Sequence, residues 1–265
     1  MLIDTHCHIH DADYPVPPRE VAWHAKMAEV SGFICVGTDV ESSRQAIEFV
    51  ADKPNHWAAV GLHPHDAKAG TAALKKLASL VKNPKKQKIV AIGECGLDYF
   101  YLHSPKEDQA EALRFQIELA QKHSLPLIFH VRDAFDDFWQ ICDKDQDVRG
   151  VVHSYTDNMA NLHKALKRGL YIGQNGIVTF TKNDWQLQVA KEIPLGKLLL
   201  ETDAPFLTPK PLRGKINEPA NTRLVAEFLA GLRGEPLEDL ARETTANARE
   251  LFALRPTQTP LEKTT

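Results

Sequence analysis

Leu2-Ile3-Asp4-Thr5-His6-Cys7-His8 is the stretch from which the rest of the chain can be read: an apolar run, Leu2 to Thr5, stops in a group of ionisable residues. The same form recurs at Gly32 to Gly37, Trp57 to Leu62, Ile89 to Gly93, Pro126 to Phe129, Gly150 to Val152, Leu170 to Gly173 and Lys197 to Leu200. Stretches of helical character lie between these runs, at Pro18 to Val30, Glu41 to Ala51, Ala72 to Val81, Lys106 to His123, Ala134 to Asp143, Asn158 to Lys167 and Asp184 to Glu192. A final pair covers Thr222 to Leu232 and Leu237 to Phe252. Short apolar runs alternating with helices predict parallel β/α units. Helix punctuation agrees: in Lys106 to His123, Glu107 and Asp108 load the first turn and Lys122 and His123 the last, as the helix dipole prefers.

Eight such units could form an open doubly wound sheet or close into a barrel, and the polar residues decide between them. An open sheet gathers its functional groups at a switch point between two strands, whereas a barrel collects them from the C-terminal ends of many strands at one mouth. Here ionisable residues end at least six of the runs. The expected fold is therefore an α/β (β/α)8 TIM barrel with an eight-stranded parallel sheet and two C-terminal helices. A barrel of roughly 250 residues is one domain. Residues 1–254 are read as that domain, and the polar stretch 255–265, with two prolines and no periodicity, as a disordered tail.

Composition narrows the function classes. Of the 265 residues 43% are hydrophobic and 25% charged, and no apolar run approaches the roughly 20 residues that span a bilayer. Met1-Leu2-Ile3-Asp4 lacks the basic and apolar segments of a secretory signal, so a cytoplasmic protein is expected. Cys7, Cys35, Cys95 and Cys142 lie far apart with no C-x-x-C pair, against a disulfide framework and against a closed structural zinc site. Cys7 reads as a small core residue that strand alternation turns away from its histidine neighbours. A net charge of -3 lacks the overall basic character of a protein that coats nucleic acid, so a polyanionic substrate would have to be held locally. A monomer is compatible with all of this.

His6 and His8 stand two apart on a strand and so project to the same side, where both can meet one ion; His10 is read as lying beyond the strand and is left out. The third run ends in Gly61-Leu62-His63-Pro64-His65, the fourth in Gly93-Glu94-Cys95-Gly96-Leu97-Asp98-Tyr99, the fifth in His130-Val131-Arg132-Asp133, the sixth in His153-Ser154-Tyr155 and the eighth in Glu201-Thr202-Asp203-Ala204-Pro205. All open on the same mouth, and carboxylates and imidazoles pressed together there need a cation. Two divalent ions roughly 3.5–4 Å apart would polarise a substrate oxygen and lower the pKa of a bound water. Glu94, central among the strand ends, is the bridging ligand, with His6, His8 and Asp203 completing one site and His130 and His153 the other. Zinc, manganese, nickel and magnesium all suit such ligands.

With these residues in place the chain resembles the TatD-type metal-dependent hydrolases of the amidohydrolase-like barrel superfamily, from Asp4 to about Phe252. The motifs that carry the resemblance, in order, are Asp4-Thr5-His6-Cys7-His8, Gly61-Leu62-His63-Pro64-His65, Gly93-Glu94-Cys95-Gly96-Leu97-Asp98-Tyr99, Glu201-Thr202-Asp203-Ala204-Pro205 and Arg213-Gly214-Lys215-Ile216-Asn217-Glu218-Pro219. The resemblance implies a TIM barrel, a binuclear site with the ligands named above, and phosphodiester hydrolysis of the deoxyribonuclease, exonuclease type. The chain departs from the family pattern at His153-Ser154-Tyr155-Thr156-Asp157, where His-Cys-Phe-Ser/Thr-Gly is common, and at Cys95, where isoleucine or threonine is common.

For such a reaction Asp203 is the candidate to take the proton of the attacking water, with Glu94 as its catalytic companion. His63 is expected on the substrate phosphate or in a proton relay, and Lys210, Arg213 and Lys215 form a basic rim after the eighth strand. Arg132, two past His130, is expected to face phosphate, and Tyr99 and Tyr101 to stack an unpaired base. DNA or another phosphodiester is then the partner molecule. The alternative is an amidohydrolase, esterase or lactonase that uses the same metals on a small substrate.

Overall fold

The computed structural model describes residues 1–144 and 148–254; the tail read at 255–265 lies outside the described residues. Eight strands, β1 (Leu2–Cys7), β2 (Val30–Val36), β3 (His56–Val60), β4 (Ile89–Asp98), β5 (Leu127–Arg132), β6 (Gly150–Val152), β7 (Tyr171–Gln174) and β8 (Leu198–Leu200), lie in chain order in one sheet, each parallel to the next. Around them run α1 (Pro18–Met27), α2 (Val40–Val50), α3 (Gly70–Leu80), α4 (Lys106–His123), α5 (Phe135–Cys142), α6 (Met159–Lys167), α7 (Asp184–Glu192), α8 (Thr222–Arg233) and α9 (Leu237–Phe252). This is the expected TIM barrel. The first helix stops at Met27 instead of reaching Val30, because Glu29 turns to φ 60 and Val30 already belongs to β2. No helix among the described residues is long and apolar enough to cross a membrane.

Two apolar layers hold the barrel. Inside it, Ile3, Ile34, Val36, Ala59, Ala91, Ile128, Val151, Tyr171 and Leu199 draw at least one side chain from every strand. Ala248, Leu251 and Phe252 of α9, with Leu254, join that cluster and plug the barrel at the end where the strands begin. Outside, Phe33, Val60, Ile92 and Phe129 pack on helix residues such as Leu113, Ile117, Phe138 and Leu162. Burial of each large side chain stabilises the fold by about 1.5–3 kcal/mol. With one end plugged, the other is the place where polar groups can collect.

Strands β1 and β4 run past the apolar runs that signal them, to Cys7 and Asp98 instead of Thr5 and Gly93. Each changes register on the way. Asp4 pairs with Phe33 and Cys7 with Cys35, so three steps along β1 match two along β2; Ile92 pairs with Leu127 and Cys95 with Phe129, so β4 gains a residue on β5 in the same way. An extra residue of this kind re-aims the side chains that follow it. Ile3 and Ala91 fill the barrel interior while His6 and Glu94, an odd number of residues later, still turn inward at the mouth. Gly96 permits the close pairing beyond: it sits at φ 149, and a Cβ there would lie 1.8 Å from the His130 carbonyl oxygen.

The ring closes between β8 and β1 without a regular ladder. Among the described residues Cys7 and Ala204 alone bridge there, supported by His8 N donating to Ala204 O (2.7 Å) and Asp203 N to His6 O (2.8 Å). Fully buried Asp4 finishes the seam, accepting from Thr202 N (2.9 Å) and Thr202 Oγ1 (2.6 Å), while Thr5 Oγ1 donates to Leu200 O (3.0 Å). Burial pushes the Asp4 carboxyl up to about 8 against the lowering effect of the Thr202 bonds.

Candidate metal centre

Five imidazoles and two carboxylates meet at the mouth. On the β8–β1 side, His6 Nε2 and His8 Nε2 face each other at 3.2 Å, and Asp203 Oδ1 lies 3.5 Å from the first and 3.2 Å from the second. On the β4–β6 side, Glu94 Oε1 stands 3.0 Å from His130 Nδ1, 2.8 Å from His153 Nε2 and 3.5 Å from His63 Nε2. Glu94 joins the two sides, since its other oxygen, Oε2, is 3.4 Å from His6 Nε2 and 4.0 Å from His8 Nε2. Three groups of donor atoms result, each within 4.8 Å: His6, His8 and Asp203; His6, Glu94 and His153; His63, Glu94 and His130.

This donor set fits divalent cations. Two imidazole nitrogens facing at 3.2 Å can share at most one hydrogen, and ionised carboxylates supply none, so the lone pairs turned into the cluster outnumber its hydrogens. The electrostatics make the same demand. Burial works against charge on Glu94, yet His153, His63 and His6 outweigh it and hold the carboxyl well below its usual range. Burial works against charge on His8 too, but Asp203 and Glu94 push that imidazole up to about 9. Buried carboxylates are tolerated only with positive charge beside them, and a metal ion supplies it without protonating the ligands.

The candidate ligands are held from behind. His8 Nδ1 donates to the Val36 carbonyl (2.7 Å), and His6 stacks on His153 with ring centroids 4.0 Å apart. His130 Nε2 meets Asp98 Oδ2 at 3.0 Å, and the same oxygen is 3.0 Å from His65 Nε2. Glu201 Oε1 lies 3.5 Å from His153 Nδ1 and accepts from Ser154 N and Asn175 Nδ2. A carboxylate behind an imidazole fixes its orientation and raises its basicity as a ligand. Gly173 leaves room for Glu201, whose Oε2 would be 2.4 Å from a Cβ at that position.

Residues 3–253 match the family described as TatD related DNase. The chain belongs to the TatD family. It is 40% identical over 256 residues to the metal-dependent hydrolase YabD of Bacillus subtilis, covering 96% of this chain and 100% of that protein. It is 37% identical over 247 residues to the 3'-5' ssDNA/RNA exonuclease TatD of Erwinia billingiae, covering 89% and 92%. The crystal structure of YJJV, a TatD homologue from Escherichia coli K12, superposes with a TM-score of 0.89 at 29% identity, covering 96% of this chain and 98% of that one.

In this TatD-family barrel the six residues read as ligands, His6, His8, Glu94, His130, His153 and Asp203, come together. His63 stands closer than expected, within the group that contains Glu94 and His130. His10 is buried with Nε2 on Ser42 Oγ (3.1 Å) and joins none of the three groups. Arg132 reaches the mouth at the end of β5, and Arg213 lies along the loop after β8, donating to Thr208 O and resting on the Phe180 ring. Tyr99 requires a correction. Its hydroxyl donates to Asp137 Oδ2 (2.8 Å) and Lys106 Nζ sits 3.9 Å over its ring, so it packs in the outer cleft between α4 and α5 and not at the mouth. The reason is alternation: Asp98 faces His130, so the next residue faces the helices. The sequence reading assigned no role to Asp98 or Glu201, although Asp98 shares strand parity with Glu94 and Glu201 stands two before Asp203.

Proposed function

We propose that this protein is a divalent-metal-dependent deoxyribonuclease that trims a strand from its end by hydrolysing phosphodiester bonds. The observation that carries the reading is the division of the Glu94 carboxylate, with Oε2 toward His6 and His8 and Oε1 toward His63, His130 and His153. His6, His8, Asp203 and Glu94 would hold one ion, and Glu94, His130 and His153 the other. When bound, such ions polarise a phosphoryl oxygen and lower the pKa of water. Magnesium, zinc, manganese and nickel all suit the donors.

The chain's own groups supply the rest. The Asp203 side chain is 16% exposed against 5% for Glu94, which makes it the ligand carboxylate that an incoming water reaches. Burial resists its ionisation, but the bond to His8 and the nearby imidazoles hold it below its usual range, ready to accept the proton of the attacking water. Burial pushes His63 down to about 4, so at neutral pH it is an uncharged imidazole beside Glu94 that can donate one hydrogen bond to a phosphate oxygen. Arg132 and Arg213 add planar forks for phosphates further along the strand. The exonuclease relative from Erwinia billingiae favours phosphodiester hydrolysis over amide, ester or lactone cleavage.

The test is to incubate the metal-loaded protein with end-labelled single-stranded DNA, duplex DNA and RNA under magnesium, manganese, zinc or nickel. A ladder growing from one end, lost on chelation and absent from Glu94→Ala, is the expected result. Cleavage that persists in Glu94→Ala, or no cleavage with any of the four metals, overturns the reading.

A further inference from the structure

The loop that leaves β4 holds large aromatic side chains out in solvent beside the metal centre. Phe100 is 55% exposed and Tyr101 50%. Their rings meet edge to face with centroids 4.8 Å apart, and the Arg132 guanidinium lies over both, 3.9 Å from the Phe100 centroid and 4.8 Å from that of Tyr101. Tyr101 also lies parallel to His103 and edge-on to His65. Aromatic groups left in water are ordinarily mobile, yet this loop is pinned. Asp98 Oδ1 accepts from the backbone N–H groups of Phe100 (3.0 Å) and Tyr101 (2.9 Å), while Ser104 Oγ donates to His65 O (2.7 Å) and Gln109 Nε2 donates to Ser104 O (2.9 Å). The other oxygen of Asp98 holds His130 and His65. One buried carboxylate thus fixes the aromatic pair and a metal-ligating imidazole in the same frame.

We propose that Phe100, Tyr101 and Arg132 form a stacking subsite for an unpaired nucleobase next to the phosphodiester being cleaved. The inference deepens the nuclease reading and rests on it. Every base offers a flat π-face of the kind such a platform takes, so stacking is tolerant of sequence, whereas a base inside a duplex has both faces covered by its neighbours. The guanidinium adds a cation above the aromatic faces and a donor fork for the adjoining phosphate. The subsite therefore selects single strands, and it does so by geometry tied to the catalytic frame through Asp98.

The experiment uses the full chain with a metal and a set of oligonucleotides, each containing one abasic residue at a different distance from the end that is cut. Phe100→Ala is expected to raise KM for intact single-stranded DNA about tenfold while kcat changes less than twofold. An abasic residue at one position should raise the wild-type KM by a similar factor and have no further effect in Phe100→Ala. Phe100→Trp should restore the wild-type KM. An unchanged KM in Phe100→Ala, or abasic and Ala effects that multiply at every position, overturns the proposal. Binding of a 2-aminopurine oligonucleotide in the presence of a chelator reads the subsite separately from hydrolysis: quenching by the wild type that Phe100→Ala loses supports stacking even if no bond is cut, and equal quenching by both contradicts it.

Discussion

Neighbouring strands β4 and β5 bring Glu94 and His130 within 3.0 Å of each other, but they reach the mouth by different routes. In β5 plain alternation suffices: Ile128 fills the barrel interior, and His130 and Arg132 follow on the same side at two-residue steps. In β4 alternation from Ala91 would turn Glu94 toward the helices, and the extra residue between Ile92 and Cys95 turns it back. Strand β1 repeats the β4 arrangement, with Ile3 below and His6 above a register change. In β5 the apolar layer and the polar end share one phase; in β1 and β4 the phase changes between the two.

Gly96→Ala breaks this comparison most severely. The added Cβ meets the His130 carbonyl at 1.8 Å in a backbone conformation side chains rarely adopt. Relief requires β4 and β5 to separate where Glu94 and His130 meet, and a stability loss of about 3 kcal/mol is expected by urea unfolding, together with loss of metal binding. Unchanged stability would mean that the pairing beyond the register change is looser than described.

Asp98→Asn sharpens the same comparison without disturbing the backbone. Asp98 lies past the register change on β4 and orients His130 of β5. Metal affinity measured by competition with a chelator dye should fall roughly 10- to 100-fold. Glu201→Gln is expected to act in the same direction on His153, more weakly because its contact is longer, 3.5 Å against 3.0 Å. Equal affinity in both variants and the wild type would remove the carboxylates from the account of how the imidazoles are held.

The smallest effect is expected from Tyr99→Phe. Removing the hydroxyl that bonds Asp137 should cost about 1 kcal/mol of stability and leave KM for DNA unchanged. A raised KM would return Tyr99 to the substrate path.

Much of this was legible before any coordinates. The ligands on straight strand ends follow from two-residue periodicity, and His6 and His8 identify each other by spacing. The strand lengths were not legible: apolar runs stop at Thr5 and Gly93, whereas ladder pairing needs only backbone groups and continues to Cys7 and Asp98. For the same reason the expectation that Tyr99 stacks a base misses that it is the residue after a strand whose parity is already set. Asp98 and Glu201 escaped because an orienting carboxylate is defined by the imidazole behind which it stands, and that partner comes from another strand.

The most direct test of the central claim, a single carboxylate shared between two cation sites, is the number of divalent ions bound per chain, measured by titration with manganese in the wild type and in Glu94→Gln. The account predicts two ions in the wild type, and in a folded Glu94→Gln protein the loss of at least one of them together with phosphodiester cleavage. Two ions bound with unchanged affinity in Glu94→Gln, or fewer than two in the wild type, would contradict it.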